Sequence, residues 1–388
     1  MREFKRIKKI NPQEGLMFKR LKYLLCLSVI ILVPMSVSAA ISQGITVMTR
    51  NLYIGADLVP VIAAQTPEEF FSAAQDALAQ AAANNFPERA WAIAAEIVEK
   101  KPHLVGLQEV YNFTLDGSNG QPPFRDHLND LMDALAAQGA DYRVAAVVKD
   151  MDIQFSLGDV LLGLTDRDVI LARGDVATSI VPVALSGCKP SQDGCNYQFV
   201  AGVASPIGEI AVERGFVAVD AMIGKGFVRF VNTHLEEREL DPGNPNPYSK
   251  IFQAAQAFEL ISVLAGFPNP QGAPLVVVGD INSSQQDKAI TVGPYTIVPP
   301  YKQLVDAGYT DTWTLRPGAP ASLTCCQSAD LLNQDSSLYE RIDVIFTSGS
   351  PVGRVQVNLV GNDEADKTLS GLWPSDHAGV VTRLEVAP

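Results

Sequence analysis

The chain has 388 residues, with 30 Lys or Arg against 43 Asp or Glu, and 47% of it is hydrophobic. Removing the eight basic and two acidic residues of positions 2–22 leaves 22 and 41, a net charge of −19 for the remainder. No Lys/Arg cluster survives in that remainder, which argues against tight, sequence-independent nucleic-acid binding, because released counterions on a basic face drive such binding.

The first element is basic and then apolar. Residues 2–22 carry the basic cluster, Tyr23 to Met35 is an apolar run, and Ser36-Val37-Ser38-Ala39-Ala40 supplies small residues at the −3 and −1 positions. This pattern predicts a secretory signal peptide over residues 1–40, cut after Ala39 or Ala40. An uncleaved anchor is the competing reading, but the run is short for a membrane span. Met17, followed by Phe18-Lys19-Arg20-Leu21-Lys22, offers an alternative start. Cys26 lies early in the run, a poor place for lipid attachment. The expected destination is outside the cell or in the periplasm.

Residues 41–388 are expected to form one large domain. Ile45–Arg50 predicts a strand ending at Asn51. Pro67–Lys101 is rich in Ala, Glu and Gln and predicts helix, broken near Asn84-Asn85-Phe86-Pro87. Leu104–Leu107 predicts a buried strand closed by Gln108 and Glu109. Phe124–Gln138 predicts a helix and Tyr142–Lys149 a strand. Val169–Leu171, Phe216–Met222 and Phe227–Asn232 predict further strands. Tyr248–Leu264 predicts an amphipathic helix, Leu275–Val278 a buried strand, and Arg341–Phe346 and Val380–Val386 the last two. The Pro/Gly-rich stretches Asp241–Pro247, Phe267–Pro274 and Gly293–Pro300 read as loops. Alternating strands and helices predict a layered α/β architecture.

Four cysteines follow the leader. Cys188 and Cys195 bracket a turn-rich Lys-Pro-Ser-Gln-Asp-Gly loop and are expected to pair, which an exported protein permits. Cys325 and Cys326 are adjacent. A bond between neighbours is strained, so pairing elsewhere or free thiols remain alternatives. No His accompanies them at zinc-ligand spacing in the sequence.

The ends of the strands carry the chemistry. Buried runs should finish in turn residues. These finish in Asn51, in Gln108-Glu109, in Asn232-Thr233-His234 and in Gly279-Asp280-Ile281-Asn282. Glu340-Arg341-Ile342-Asp343 enters a strand, and Trp373-Pro374-Ser375-Asp376-His377 precedes the last one. Each has an ordinary explanation alone: an exposed carboxylate, a core histidine, an Asx turn. Together they require all of those explanations at once. Groups at neighbouring strand ends can converge on one rigid rim. His103 and His127 have no such company and read as structural or surface residues.

Six segments in this order resemble the endonuclease/exonuclease/phosphatase superfamily: Thr49-Arg50-Asn51-Leu52, Leu107-Gln108-Glu109, Asn232-Thr233-His234-Leu235, Gly279-Asp280-Ile281-Asn282, Arg341-Ile342-Asp343 and Ser375-Asp376-His377. Any one is weak; the ordered set is specific. The superfamily includes DNase I-like nucleases, neutral sphingomyelinases and inositol-polyphosphate phosphatases. The resemblance implies a four-layer α/β/β/α sandwich, with two mixed sheets face to face and helices outside. It also implies a metal held by Asn51, Glu109 and Asp376, of which oxygen donors make Mg²⁺ the first expectation and Mn²⁺ or Ca²⁺ the alternatives. In this reading His377 is the base for water, oriented by Asp343. Asp280 and Asn282 hold the water and a phosphate oxygen. His234 donates to phosphate or to the leaving group, with Asp166 or Asp168 as the carboxylate behind it.

Two departures from the family pattern narrow the reading. Ile281 replaces the usual aromatic residue of its segment. Tyr53 stands where some nuclease branches carry an acid, which argues against the abasic-site branch. The expected partner is a phosphoester substrate: a small diester, a phospholipid head group or nucleic acid. No stable nucleic-acid complex and no membrane span are expected in the mature chain, and it is expected to be a monomer. A sphingomyelinase-like enzyme would need exposed aromatics by the cleft, for which Phe70-Phe71, Tyr248, Phe252 and Trp373 are candidates. A secreted binding protein that has lost the chemistry is the rival from another class; no proposed catalytic position has been replaced.

Overall fold

Buried runs rich in Val, Ile and Phe pair into two sheets, and the amphipathic helices cover them. The computed structural model describes residues 43–386 except 117–124, 158–159, 183–186, 239–246, 268, 270–271, 317–321 and 349–354. The leader and its cleavage site lie outside the described residues. So does most of the Asp241–Pro247 loop.

One sheet has eight strands. Its backbone order is Gln356–Val360, Gly379–Val386, Gln43–Asn51, Leu104–Gln108, Val160–Arg173, Asn112–Asp116 and Arg125–Asp126, and Tyr142–Leu157 also pairs with Val160–Arg173. Gln43–Asn51 runs parallel to Leu104–Gln108 and places Asn51 opposite Gln108. The second sheet also has eight strands, with Tyr309–Asp311, Asp343–Ser348, Leu275–Asp280, Gly226–His234 and Gly215–Ile223 in succession. There Gly226–His234 runs parallel to Leu275–Asp280, setting His234 opposite Asp280. Asp343–Ser348 is antiparallel and sets Asp343 opposite Asp280.

Three apolar clusters define the layers. The central one joins Val47, Leu104, Ile170 and Ala172 of the first sheet to Val219, Phe230, Val278 and Ile345 of the second. A second packs the outer face of the first sheet, through Met48, Val105 and Leu171, on Ile93 and Ile97 of helix Phe86–Lys100 and Leu131 of helix His127–Ala137. A third packs Phe216, Val231 and Phe346 on Ala257 and Leu260 of helix Tyr248–Gly266 and Leu304 of helix Pro300–Asp306. The fold is the α/β/β/α sandwich. Burying these clusters supplies the main driving force, roughly 25 cal/mol per Å² of apolar surface. At Gly106 the sheets approach closely. A Cβ there would sit 2.5 Å from Val278 Cγ2 and 2.6 Å from Asn232 Oδ1.

Some sequence expectations shift. The 124–138 helix begins at His127, because Arg125-Asp126 pairs as a short strand and Asp126 caps the helix. The strand at 142–149 continues to Leu157, and that at 169–171 extends over Val160–Arg173. Within 293–300, Tyr295–Ile297 pairs with Ile290–Val292 as a hairpin instead of remaining loop. Cys188 and Cys195 are bonded, as are the neighbours Cys325 and Cys326. No described helix is long and apolar enough to cross a membrane.

Candidate active site

The parallel strand pairs in both sheets end at the same rim. Asn51 and Glu109 come from the first sheet, and His234, Asp280 and Asn282 from the second. Asp343 enters its antiparallel strand there, and Asp376-His377 lies just before the last strand. Local structure fixes each group. Gly279 (φ +151°) lets the two parallel strands close up, since a Cβ at that position would lie 1.8 Å from the Thr233 carbonyl oxygen. The loop carrying Asp376 is tied down by Ser375 Oγ donating to the Asn51 carbonyl at 2.8 Å and by Arg89 Nη1 donating to the Pro374 carbonyl at 3.0 Å. Arg50, paired with Glu96 through two contacts of 3.1 Å, also donates to the His377 carbonyl. Tyr53, Glu109 and Asn282 have φ values of 62°, 55° and 48°. Non-glycine residues in this region cost on the order of 1 kcal/mol each, and such strain concentrates at working sites.

Glu109, His234, Asp280, Asn282, Asp376 and His377 line a cleft of about 770 Å³, with Asn51 and Asp343 fully buried behind them. Asn51 Nδ2 donates to Glu109 Oε1 at 2.9 Å and to Asp280 Oδ2 at 3.2 Å. Glu109 Oε2 accepts from the Ile54 amide at 2.9 Å. His377 Nδ1 lies 2.8 Å from Asp343 Oδ2 and 3.7 Å from Asp280 Oδ2. Asp280 Oδ1 accepts from the Asn282 amide at 2.9 Å. Seven expected residues therefore meet here by these contacts or their pairing: Asn51, Glu109, Asp280, Asn282, Asp343, His234 and His377, with Asp376 beside them.

The electrostatics are those of a carboxylate cluster short of positive charge. Burial, with Asp343 nearby, pushes Asp280 up to about 7. Burial raises Asp376 to about 7 as well, against the opposing pull of His377 and with the support of Glu109. Burial alone would depress His377, but Asp343, Asp376 and Asp280 outweigh it and hold the imidazole well above its usual range. Asp343 Oδ1 is buried without a hydrogen-bond partner. Hard oxygen donors, raised acids and an orphaned carboxylate oxygen fit a divalent cation, which would relieve all three.

His234 departs from expectation. Its Nδ1 faces Arg214 Nη1 at 3.1 Å, not a carboxylate. Burial and the Arg214 charge hold it well below its usual range. Its Nε2 faces the Asn282 side-chain nitrogen at 3.2 Å and Asp280 Oδ2 at 3.7 Å. Asp166 sits behind Arg214, 3.5 Å from Nη1, with Glu236 at 3.9 Å from Nε. Asp168 does not reach His234; it is fully buried beside Asp150. Sequence reasoning missed Arg214. It stands just before the strand Gly215–Ile223, and nothing local in the sequence marks it.

Cys325 and Cys326 also line the cleft, with Cys326 Sγ 3.9 Å from His377 Nε2. Trp373 and Phe70, two of the aromatics considered for a membrane surface, are core residues at 0% and 1% exposure.

A rim of buried carboxylates and histidines on a four-layer sandwich defines a phosphoester hydrolase. The chain belongs to the Endonuclease/Exonuclease/phosphatase family, whose sequence model matches residues 75–377. Enzymes of this family generally work with divalent metals. No curated protein matches the chain in sequence. Among solved structures it is similar to an endonuclease/exonuclease/phosphatase from Beutenbergia cavernae DSM 12333 (22% identity, TM-score 0.48, covering 89% of this chain and 72% of that one). It is also similar to a family protein from Leptotrichia buccalis C-1013-b (15%, 0.49, 88% and 99%). A third is the mannosyl-6-phosphatase of Bacteroides thetaiotaomicron VPI-5482 (18%, 0.48, 88% and 99%).

Proposed function

We propose that the chain is an exported, divalent-metal-dependent phosphodiesterase acting on small diesters. The observation that carries this reading is the 2.8 Å contact between His377 Nδ1 and Asp343 Oδ2 beside the Glu109 and Asp376 carboxylates; Asn51 turns its Nδ2 to Glu109, and its Oδ1 accepts from the Tyr53 amide at 2.9 Å. Asp343 fixes the imidazole so that Nε2 is the proton-accepting atom, the arrangement of a general base. Glu109, Asn51 and Asp376 would hold the cation, Mg²⁺ by its oxygen donors, with Mn²⁺ or Ca²⁺ as alternatives. Once bound, it offsets the charge of the phosphate and of the transition state. His377 would take a proton from water at Nε2, with Nδ1 held by Asp343. Asp280 and Asn282 position that water. His234 lines the same cleft and would contact a phosphate oxygen.

The net charge of the mature chain disfavours long polyanions. Burial of Trp373 and Phe70 removes two of the residues that a lipid-surface enzyme would use. Hydrolysis of bis-p-nitrophenyl phosphate with Mg²⁺, Mn²⁺ or EDTA tests the reading. Metal-dependent turnover that is lost in His377→Ala supports it. A folded protein inactive on this ester, plasmid DNA and sphingomyelin with every metal overturns it in favour of a binding protein.

A further inference from the structure

The interior between the sheets contains a second group of acids that the rim does not use. The Tyr142–Leu157 strand has a register shift between Lys149 and Met151, so Asp150 is the extra residue of a bulge opposite Val160–Arg173. Bulges re-aim side chains. This one turns Asp150 inward, within hydrogen-bonding reach of Asp168. Both are 0% exposed, and all four of their carboxylate oxygens lack a donor.

The second sheet supplies an independent observation. Asn196 is 5% exposed, and its Oδ1 is also without a partner. The position that a Cβ would take on Gly215 lies 2.8 Å from Asp150 Oδ1, 2.9 Å from Asn196 Oδ1 and 2.7 Å from the Cys195 carbonyl oxygen. Oxygens from both sheets thus crowd together beside the Gly215 Cα, where no Cβ would fit. Arg214, the cation whose charge reaches them, is already shared among Asp166, Glu236 and His234. Buried acids without a cation cost several kcal/mol each or take up protons.

We propose that Asp150, Asp168 and Asn196 form a structural site for a hard divalent cation of the calcium type, bridging the two sheets and sharing no ligand with the catalytic rim. An all-oxygen, fully buried donor set favours Ca²⁺ over Mg²⁺, which keeps several of its waters. The bound ion would supply the charge that these acids lack, as burial, with Asp166 near Asp150 and with Asp150 and Asp166 near Asp168, otherwise holds both well above the carboxylate range.

The test uses the chain carrying Glu109→Ala, which removes the rim ligand, after EGTA treatment. Adding Ca²⁺ should raise its melting temperature by several degrees with one ion bound per chain, and Mg²⁺ should do less. Asp168→Asn or Asp150→Asn in that background should weaken Ca²⁺ binding at least tenfold. These isosteric changes remove a buried charge, so the fold survives without the ion. Terbium luminescence sensitised by Tyr197, displaced by Ca²⁺, reads the same site in the otherwise native chain. If neither Ca²⁺ nor Tb³⁺ binds the Glu109→Ala chain, Asp150 and Asp168 share a proton and the proposal fails. It also fails if the binding persists undiminished in Asp168→Asn.

Discussion

Asp343 Oδ2 sits 2.8 Å from His377 Nδ1, with the aspartate wholly buried at the start of its strand. That contact fixes which ring nitrogen is free. Asp343→Asn keeps the shape but offers an amide donor to Nδ1, driving the proton to Nε2. Turnover of a phosphodiester should fall about 10²–10⁴-fold with KM nearly unchanged. Steady-state kinetics beside a circular-dichroism spectrum check this.

Glu109 is the anion of the proposed metal set, held by Asn51 and the Ile54 amide. Glu109→Gln should abolish the thermal shift that Mg²⁺ or Mn²⁺ causes at the rim. It should also cut turnover by on the order of 10²–10³-fold, the loss of several kcal/mol of transition-state stabilisation.

Arg214 answers Asp166 and Glu236 inside the protein. Arg214→Met would leave them uncompensated and lower stability by about 3–5 kcal/mol. Urea denaturation gives that number. An Asp166→Asn change in the same chain should recover part of it.

His103 accepts the Thr46 amide at 3.0 Å through Nδ1, and burial lowers its affinity for a proton. The folded state thus binds fewer protons than the unfolded chain near neutrality. Stability from this group is present above the unfolded value of about 6.5 and declines as pH falls through it. Between about pH 7.5 and 5.5 the urea midpoint of the native chain should fall relative to that of His103→Gln.

The Cys188–Cys195 bond closes a loop of sequence separation 7. Loop-closure entropy puts its contribution at about 2.5 kcal/mol. Cys188→Ser with Cys195→Ser should lower the urea-derived stability by that amount and leave rim chemistry intact.

The rim was legible because polar side chains interrupt otherwise apolar strand ends, as at Val278-Gly279-Asp280. Helix Phe86–Lys100 was legible through its Asn84-Asn85 break and apolar spacing. Arg214 was not, since nothing local distinguishes an arginine that pairs with Asp166 and Glu236 across the interior from a surface one. Asp150 was hidden for a related reason: a bulge is a property of two paired strands, and only pairing reveals the extra residue. The alternation Met151, Ile153, Phe155, Leu157 did carry a strand signal, but the polar residues between them masked it.

The rim is assembled from both sheets: Asn51 and Glu109 belong to one, His234, Asp280 and Asp343 to the other. It owes its geometry to their docking across Gly106 and Val278, with no covalent frame of its own. Hydrostatic pressure, which acts on packing voids, would therefore silence the enzyme by sliding the two plates apart while each still kept its own ladder of hydrogen bonds. Catalytic activity would then serve as a gauge of plate alignment, more sensitive than any spectroscopic measure of strand content.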